Sequence, residues 1–271
     1  MSRDDQIKAL AMKQVVYTLP GMHDIVPRGE VRYGGCDDAV RTMDIYYPPD
    51  VTSRAPPPLV ILVNGYPMPA DWTRQWEPLV SWARLFATRG MASIIYACKD
   101  PATDIHTLLQ YLDENTQSLA IDNNRIGLLA TSGNVPNALS LVMNRRYDNF
   151  RCAALCYGYM LDINGRHSVA DAARQWGFEN PSEGKTVDDV PGDLPLFIAR
   201  AGQDHFPGIN AGIDAFAITA LERNLPFTLV NHAGGPHAFD MDDDSEASRY
   251  VIEQLLAFMS SHLCGDEDTI D

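Results

Sequence analysis

The amino-acid sequence predicts an α/β fold: a mostly parallel central sheet with helices on both faces and a small cap insertion, in a single domain over residues 1–271. Three observations carry this expectation. Largely apolar runs of strand length recur at 59–63, 91–97, 126–131, 152–156 and 196–199, without the alternation of a strand that faces water on one side. Between them lie longer segments whose apolar residues return every three or four positions, the period of an amphipathic helix. A hydrophobic fraction of 45% over 271 residues supplies enough apolar surface for one large core. Strands that alternate with helices imply right-handed crossovers and hence parallel neighbours.

The elements follow in order. Short β-rich patterns occupy 12–18 and 30–34, and residues 41–47 alternate before stopping at Pro48-Pro49, an antiparallel lead-in at a sheet edge. The aliphatic run 59–63 follows Pro56-Pro57-Pro58 and ends at Asn64-Gly65-Tyr66-Pro67, where the chain must leave the sheet. A tryptophan-rich helix comes next, with Glu77 and Pro78 near its start and Gly90 as its stop. Trp72, Trp76 and Trp82 read as core or groove-filling residues at helical spacing. After the strand at 91–97, Thr103 or Asp104 caps a helix whose Ile105, Leu108, Leu109 and Leu112 share a face. The run 126–131 follows the turn-forming pair Asn123-Asn124. It leads into a helix with Val135, Ala138, Leu139 and Val142 on one side, and Pro136 is tolerated in its first turn.

Beyond the short strand at 152–156 the rhythm breaks. Residues 157–192 hold one helical pattern, near 169–176, and read as a cap or lid over one end of the sheet. Regularity returns with a strand at 196–199, a helix at 209–223 and a strand at 227–230. A final helix starts at Asp244 or Ser245 and carries Ile252, Leu255, Leu256, Met259 and Leu263 on one face; the tail from Gly265 is short and acidic.

A formal net charge of −15 argues against nucleic acid or an anionic membrane as partner. No run approaches the roughly 18 apolar residues that span a bilayer. Cysteines stand at 36, 98, 152, 156 and 264, an odd count without a C-x-x-C pair, and read as reduced thiols. With no apolar signal region near Met1, the expected location is cytoplasmic. Homo-oligomerisation is left open.

Chemistry concentrates at three strand ends. Ser132 lies between a buried strand and a helix start, where it points out of a sharp turn beside free backbone N–H groups. The residue two before it is the small Ala130, but Asn134 stands two after it, where a small residue would let helix and strand approach. The loop after 196–199 carries Asp204, and the loop after 227–230 carries His237. A hydroxyl needs a base to become a nucleophile, an imidazole suits that role, and a carboxylate must hold its tautomer. His232 is the rival base, but it leaves Gly234-Gly235-Pro236 unexplained. His205 reads as a surface or pocket-wall residue. Asp242-Asp243-Asp244 suits the positive end of the following helix better than a cation, and no metal is expected. Cys156 reads as a structural thiol.

These segments resemble the α/β-hydrolase family, and the second half is similar to its dienelactone-hydrolase-like serine esterases. The resemblance rests on residues 123–133, on Ala201-Gly-Gln-Asp204 and on Gly234-Gly-Pro-His237-Ala-Phe-Asp240; it covers 41–263 and is weakest over 157–192. It implies Ser132 as nucleophile, His237 as general base and then acid, and Asp204 as the orienting acid. It further implies an oxyanion hole made by the backbone N–H groups of Gly133 and Tyr66, and no cofactor. Trp72, Tyr157, Tyr159 and Phe206 are the candidate pocket lining. Dienelactone hydrolases use a cysteine, so the serine here points to an esterase-like relative acting on a small-molecule ester or acyl substrate. A thioesterase, peptidase or acyltransferase on the same triad, and a hydrolase-fold binding protein without turnover, are the alternatives.

Overall fold

The computed structural model describes residues 8–34, 41–51, 55–73 and 75–265. Cys36, the N-terminal residues 1–7 and the acidic tail after Gly265 lie outside the described residues. Eight strands appear in chain order: β1 (Arg28–Arg32), β2 (Thr42–Tyr46), β3 (Pro58–Leu62), β4 (Ala92–Tyr96), β5 (Asp122–Thr131), β6 (Phe150–Cys156), β7 (Leu196–Ala201) and β8 (Phe227–His232). They form one sheet in the order β1-β2-β4-β3-β5-β6-β7-β8. The lead-in pairs β1–β2 and β2–β4 run antiparallel, and every later pair runs parallel.

Every residue of β3 and β4 is buried, which is why their sequences read as unbroken apolar runs. Successive side chains still point to opposite faces. Leu59 and Ile61 join one core with Leu108, Leu139 and Phe216, whereas Val60 and Leu62 join the other with Phe86, Ile252 and Leu256. The first core is covered by α3 (Pro101–Leu119), α4 (Val135–Val142) and α6 (Ile209–Glu222). The second is covered by α2 (Glu77–Thr88) and α8 (Glu246–Leu263). The short helices α1 (Ala70–Thr73), α5 (Ser168–Trp176) and α7 (Phe239–Asp242) lie in the connections. No helix among the described residues is long and apolar enough to cross a membrane.

Three expectations need correction. Residues 12–18 form no strand: Val15 is buried in the second core, and the Val16 N–H donates to the Asp240 carbonyl at 2.8 Å. β-branched residues suit any extended segment packed on a core, so the pattern does not require a ladder partner. The cap of α3 is Asp100, whose side chain accepts from the Thr103 N–H at 2.9 Å, with Pro101 in the first turn. Asp104 instead turns inward, where it accepts from the Lys99 N–H and from Arg41, each at 2.8 Å. Finally, β5 starts at Asp122, so Asn123 and Asn124 lie inside the strand rather than before it.

The connection from β6 to β7 holds α5 and a 3₁₀ turn at Val187–Asp189. Its Tyr159, Leu161, Val169, Ala172, Phe178 and Val187 are buried in the first core. Glu179 ties this segment down twice. Its N–H donates to the Gly65 carbonyl at 2.8 Å, and its carboxylate accepts from the Ala102 N–H at 2.6 Å.

Candidate active site

Ser132 follows the last residue of β5 and starts a 3₁₀ turn, Ser132–Asn134, that runs into α4. Its φ is 54°, in the left-handed region that costs a non-glycine residue about 1–2 kcal/mol. That conformation throws the hydroxyl out of the turn. The tight approach expected of a small residue at 134 is supplied elsewhere, by Gly158 beyond β6. A Cβ there would lie 2.1 Å from Val135 Cγ2 and 3.1 Å from the Ser132 carbonyl oxygen.

Asn134, freed from that duty, reaches the turn after β3. Its Oδ1 accepts from the Gly65 N–H at 2.7 Å. The neighbouring Asn64 is pinned as well: its carbonyl accepts from Asn137 at 2.6 Å, and its side chain donates to the Tyr96 carbonyl at 2.8 Å. The Tyr66 backbone N–H has no hydrogen-bond acceptor among the described residues. The Gly133 N–H belongs to the first turn, where backbone donors have no partner within the helix. We expect Asn134→Ala to leave the Gly65 N–H unsatisfied and the turn free to shift, slowing turnover about tenfold, the scale of one lost hydrogen bond. Steady-state kinetics with the melting temperature as control checks this; wild-type turnover would refute it.

The acid and the histidine meet because their loops are joined. The Gly202 N–H donates to the His232 carbonyl at 2.8 Å, and the Gln203 N–H donates to the Gly235 carbonyl at 2.9 Å. The Asp204 side chain is fully buried. Its Oδ1 accepts from the Phe206 N–H at 2.9 Å, and its Oδ2 lies 2.7 Å from His237 Nδ1. An ionised carboxylate can only accept, so Nδ1 carries the proton and Nε2 is left as acceptor. That Nε2 lies 2.9 Å from Ser132 Oγ. The structure thus brings Ser132, His237 and Asp204 into one hydrogen-bonded line.

The expected pocket lining divides. Phe206 packs on the His237 ring at a centroid distance of 4.4 Å, and Tyr159 lies by the serine, its N–H donating to the Ser132 carbonyl at 3.3 Å. Tyr157 is not a pocket wall. It is buried beneath the imidazole, edge-on at 5.0 Å, and its hydroxyl donates to Asp240 Oδ1 at 2.6 Å. Asp240 Oδ2 accepts from the Trp82 indole at 2.9 Å. Burial pushes this carboxyl above the ordinary carboxylate range, while the Tyr157 and Trp82 donors pull it back. Trp82 is thus a core residue with a polar task, whereas Trp72 is 42% exposed on α1 and stacks on Trp76.

His232 points away from the site. Its Nε2 lies 3.0 Å from Asp243 and 2.9 Å from Ser248, in the network that starts α8. A Cβ at Gly235 would stand 2.6 Å from its ring, which accounts for a glycine there. His205 is exposed and packs on Phe206. The acidic triplet is used up by protein: Asp242 pairs with Lys13, Asp243 with Ser245 and Ser248, and Asp244 with Arg249. Burial raises the Cys156 thiol well above its ordinary range. Asn134, Gly158 and Asp240 are the contributors to which the sequence reading gave no positioning role. Asn134 alone carried a visible signal, as the odd residue in an otherwise familiar turn.

No protein-family model and no curated protein matches this chain by sequence. Solved structures do match in shape. A bacterial heroin esterase superposes with a TM-score of 0.67 at 16% identity, covering 96% of this chain and 89% of its own. Esterase B from Lactobacillus rhamnosis gives 0.70 at 14%, covering 95% and 90%. A thermostable esterase from Pseudomonas putida gives 0.71 at 14%, covering 97% and 91%. At these identities the likeness concerns the fold.

Proposed function

On the premise that the chain has the α/β-hydrolase fold, we propose that it is a serine hydrolase that cleaves carboxylic esters or related acyl compounds through an acyl-enzyme on Ser132. The observation that carries this reading is the Ser132–His237–Asp204 line, with contacts of 2.9 Å and 2.7 Å, on a serine held at φ 54°. His237 Nε2 accepts the hydroxyl proton as Oγ attacks the carbonyl carbon. The oxyanion forms between the N–H groups of Gly133 and Tyr66. The imidazolium, oriented by Asp204, returns its proton to the leaving alcohol oxygen. Water, deprotonated by the same imidazole, then attacks the acyl-enzyme and releases the acid and free Ser132. Residues 157–192 serve as the cap over the site. The dienelactone-hydrolase-like subtype rests on the sequence segments alone, and a cytoplasmic setting on the reduced cysteines.

The esterase names of the structural neighbours favour an ester over a thioester or amide. The binding-protein alternative draws on Asn134 and on the altered 64–67 turn. The bond from the Gly65 N–H to Asn134 gives both a positioning task, so neither argues for a lost activity. Labelling with a fluorophosphonate tests the reading: the added mass should map to Ser132. Folded protein that takes no label, or takes it on another residue, would overturn it.

A further inference from the structure

Two tyrosines beside Ser132 and Gly133 have hydroxyls for which the described residues offer no acceptor, one of them fully buried and one half-buried. Tyr159 is 3% exposed, yet its Oη is buried without a hydrogen-bond partner. The Trp176 indole N–H approaches that oxygen but is itself a donor, so it offers no acceptor. The Tyr66 hydroxyl likewise has no acceptor among the described residues. It stands directly over Gly133, where a Cβ would lie 2.4 Å from it. Both oxygens of nearby Asp204 are already engaged, by His237 and by the Phe206 N–H.

The two phenols belong to one cluster. Phe178 stacks on Tyr159 at 5.3 Å and takes Tyr66 edge-on at 5.8 Å. Burial pushes the Tyr66 hydroxyl up to about 12 and raises Tyr159 too, so both remain O–H donors near neutral pH. A buried O–H with no acceptor, the case of Tyr159, is costly to keep and calls for an explanation, and the half-buried Tyr66 stands beside it. Phe178, which carries both rings, would meet a Cβ at Gly133 at 2.7 Å, and the Tyr159 N–H donates to the Ser132 carbonyl, so the pair borders the oxyanion side, next to the carbonyl and the acyl group.

We propose that Tyr159 and Tyr66 form an acyl-recognition pair, and that the substrate's acyl group carries a neutral oxygen acceptor close to the ester carbonyl. A hydroxy, alkoxy or keto acyl group fits this description. An anionic group does not, because the Asp204 carboxylate acts on Tyr159 and would repel it. This inference rests on the serine-hydrolase reading and names the substrate class of that same site. A polar site facing an apolar isostere discriminates more strongly than an apolar pocket does, because its donors are left unpaired.

The test uses p-nitrophenyl methoxyacetate and p-nitrophenyl butyrate, acyl groups of equal length in which an ether oxygen replaces one methylene. Each kcat/KM is divided by the hydroxide-catalysed rate of the same ester, which removes the intrinsic reactivity of the methoxy compound. The wild-type protein should then favour methoxyacetate about tenfold or more. In Tyr159→Phe and Tyr66→Phe, each verified as folded by its fluorophosphonate labelling, the ratio should fall toward one. A wild-type ratio near one, or a ratio unmoved in both variants, overturns the proposal. If neither variant folds, the wild-type ratio decides. Failure of the hydrolase reading looks different: no Ser132 label and no turnover of either ester. A labelled, active enzyme with a flat ratio sinks only the acyl-recognition pair.

Discussion

Ser132→Ala should lower kcat on a short-chain aryl ester by at least about four orders of magnitude, and His237→Ala should do nearly the same. Four decades correspond to about 5.4 kcal/mol of lost transition-state stabilisation. The size follows from how the groups are joined. Ser132 Oγ is a nucleophile only while Nε2, 2.9 Å away, can take its proton, so removing either partner removes the same step. The double variant should therefore be scarcely slower than either single one. Asp204→Asn belongs to the same unit. An amide at the fully buried position facing Nδ1 can present its NH₂ group there and impose the wrong tautomer, so a loss of comparable order is expected with the fold intact. Initial rates for the three single variants and the double variant check this, with circular dichroism as the control for folding. Additive losses, or a Ser132→Ala protein within tenfold of wild type, would refute the assignment.

Much of this arrangement is legible in the amino-acid sequence. Strands buried on both faces must be apolar at every position, so β3 and β4 announced themselves. A parallel sheet gathers its working loops at one end, which allowed three residues in three loops to be grouped. The illegible parts depend on contacts between distant positions. Asn134 looked like damage to the turn because its partner, the Gly65 N–H, lies 69 residues away. Tyr157 looked like a pocket residue because it follows a strand at the catalytic end, yet its hydroxyl is claimed by Asp240, 83 residues on. His232 and His237 could be told apart by glycine spacing, whereas the bonds of His232 to Asp243 and Ser248 could not be foreseen. The segment at 12–18 misled for a simpler reason: extended backbone needs one acceptor, not a strand, and Asp240 provides it.

Gly65→Ala is the sharpest test of how the oxyanion donors are held, because it adds one carbon and removes no hydrogen bond. Gly65 is not in the left-handed region, so alanine meets no torsional objection and the effect is purely steric. The new Cβ would lie 2.4 Å from the Gly133 carbonyl oxygen and 2.9 Å from the Asn134 Cα, both backbone atoms that cannot rotate away. The turn cannot back off freely either, since Glu179 holds the Gly65 carbonyl and Asn137 holds the Asn64 carbonyl. The strain must therefore separate the Tyr66 N–H from the Gly133 N–H, two donors that stabilise an oxyanion only when both stand about 2.7–3.1 Å from it. A misplacement of about an ångström costs a hundredfold, and loss of one donor costs up to about a thousandfold. We expect kcat to fall in that range, KM to stay within about threefold, and fluorophosphonate labelling to slow in parallel. Gly127→Ala supplies the contrast: its Cβ would meet Met259 Cε at 2.7 Å and Leu263 Cδ1 at 2.8 Å, the movable ends of side chains far from the turn. That variant should lose stability and keep its turnover. If Gly65→Ala keeps it too, the turn after β3 is not where the oxyanion is bound.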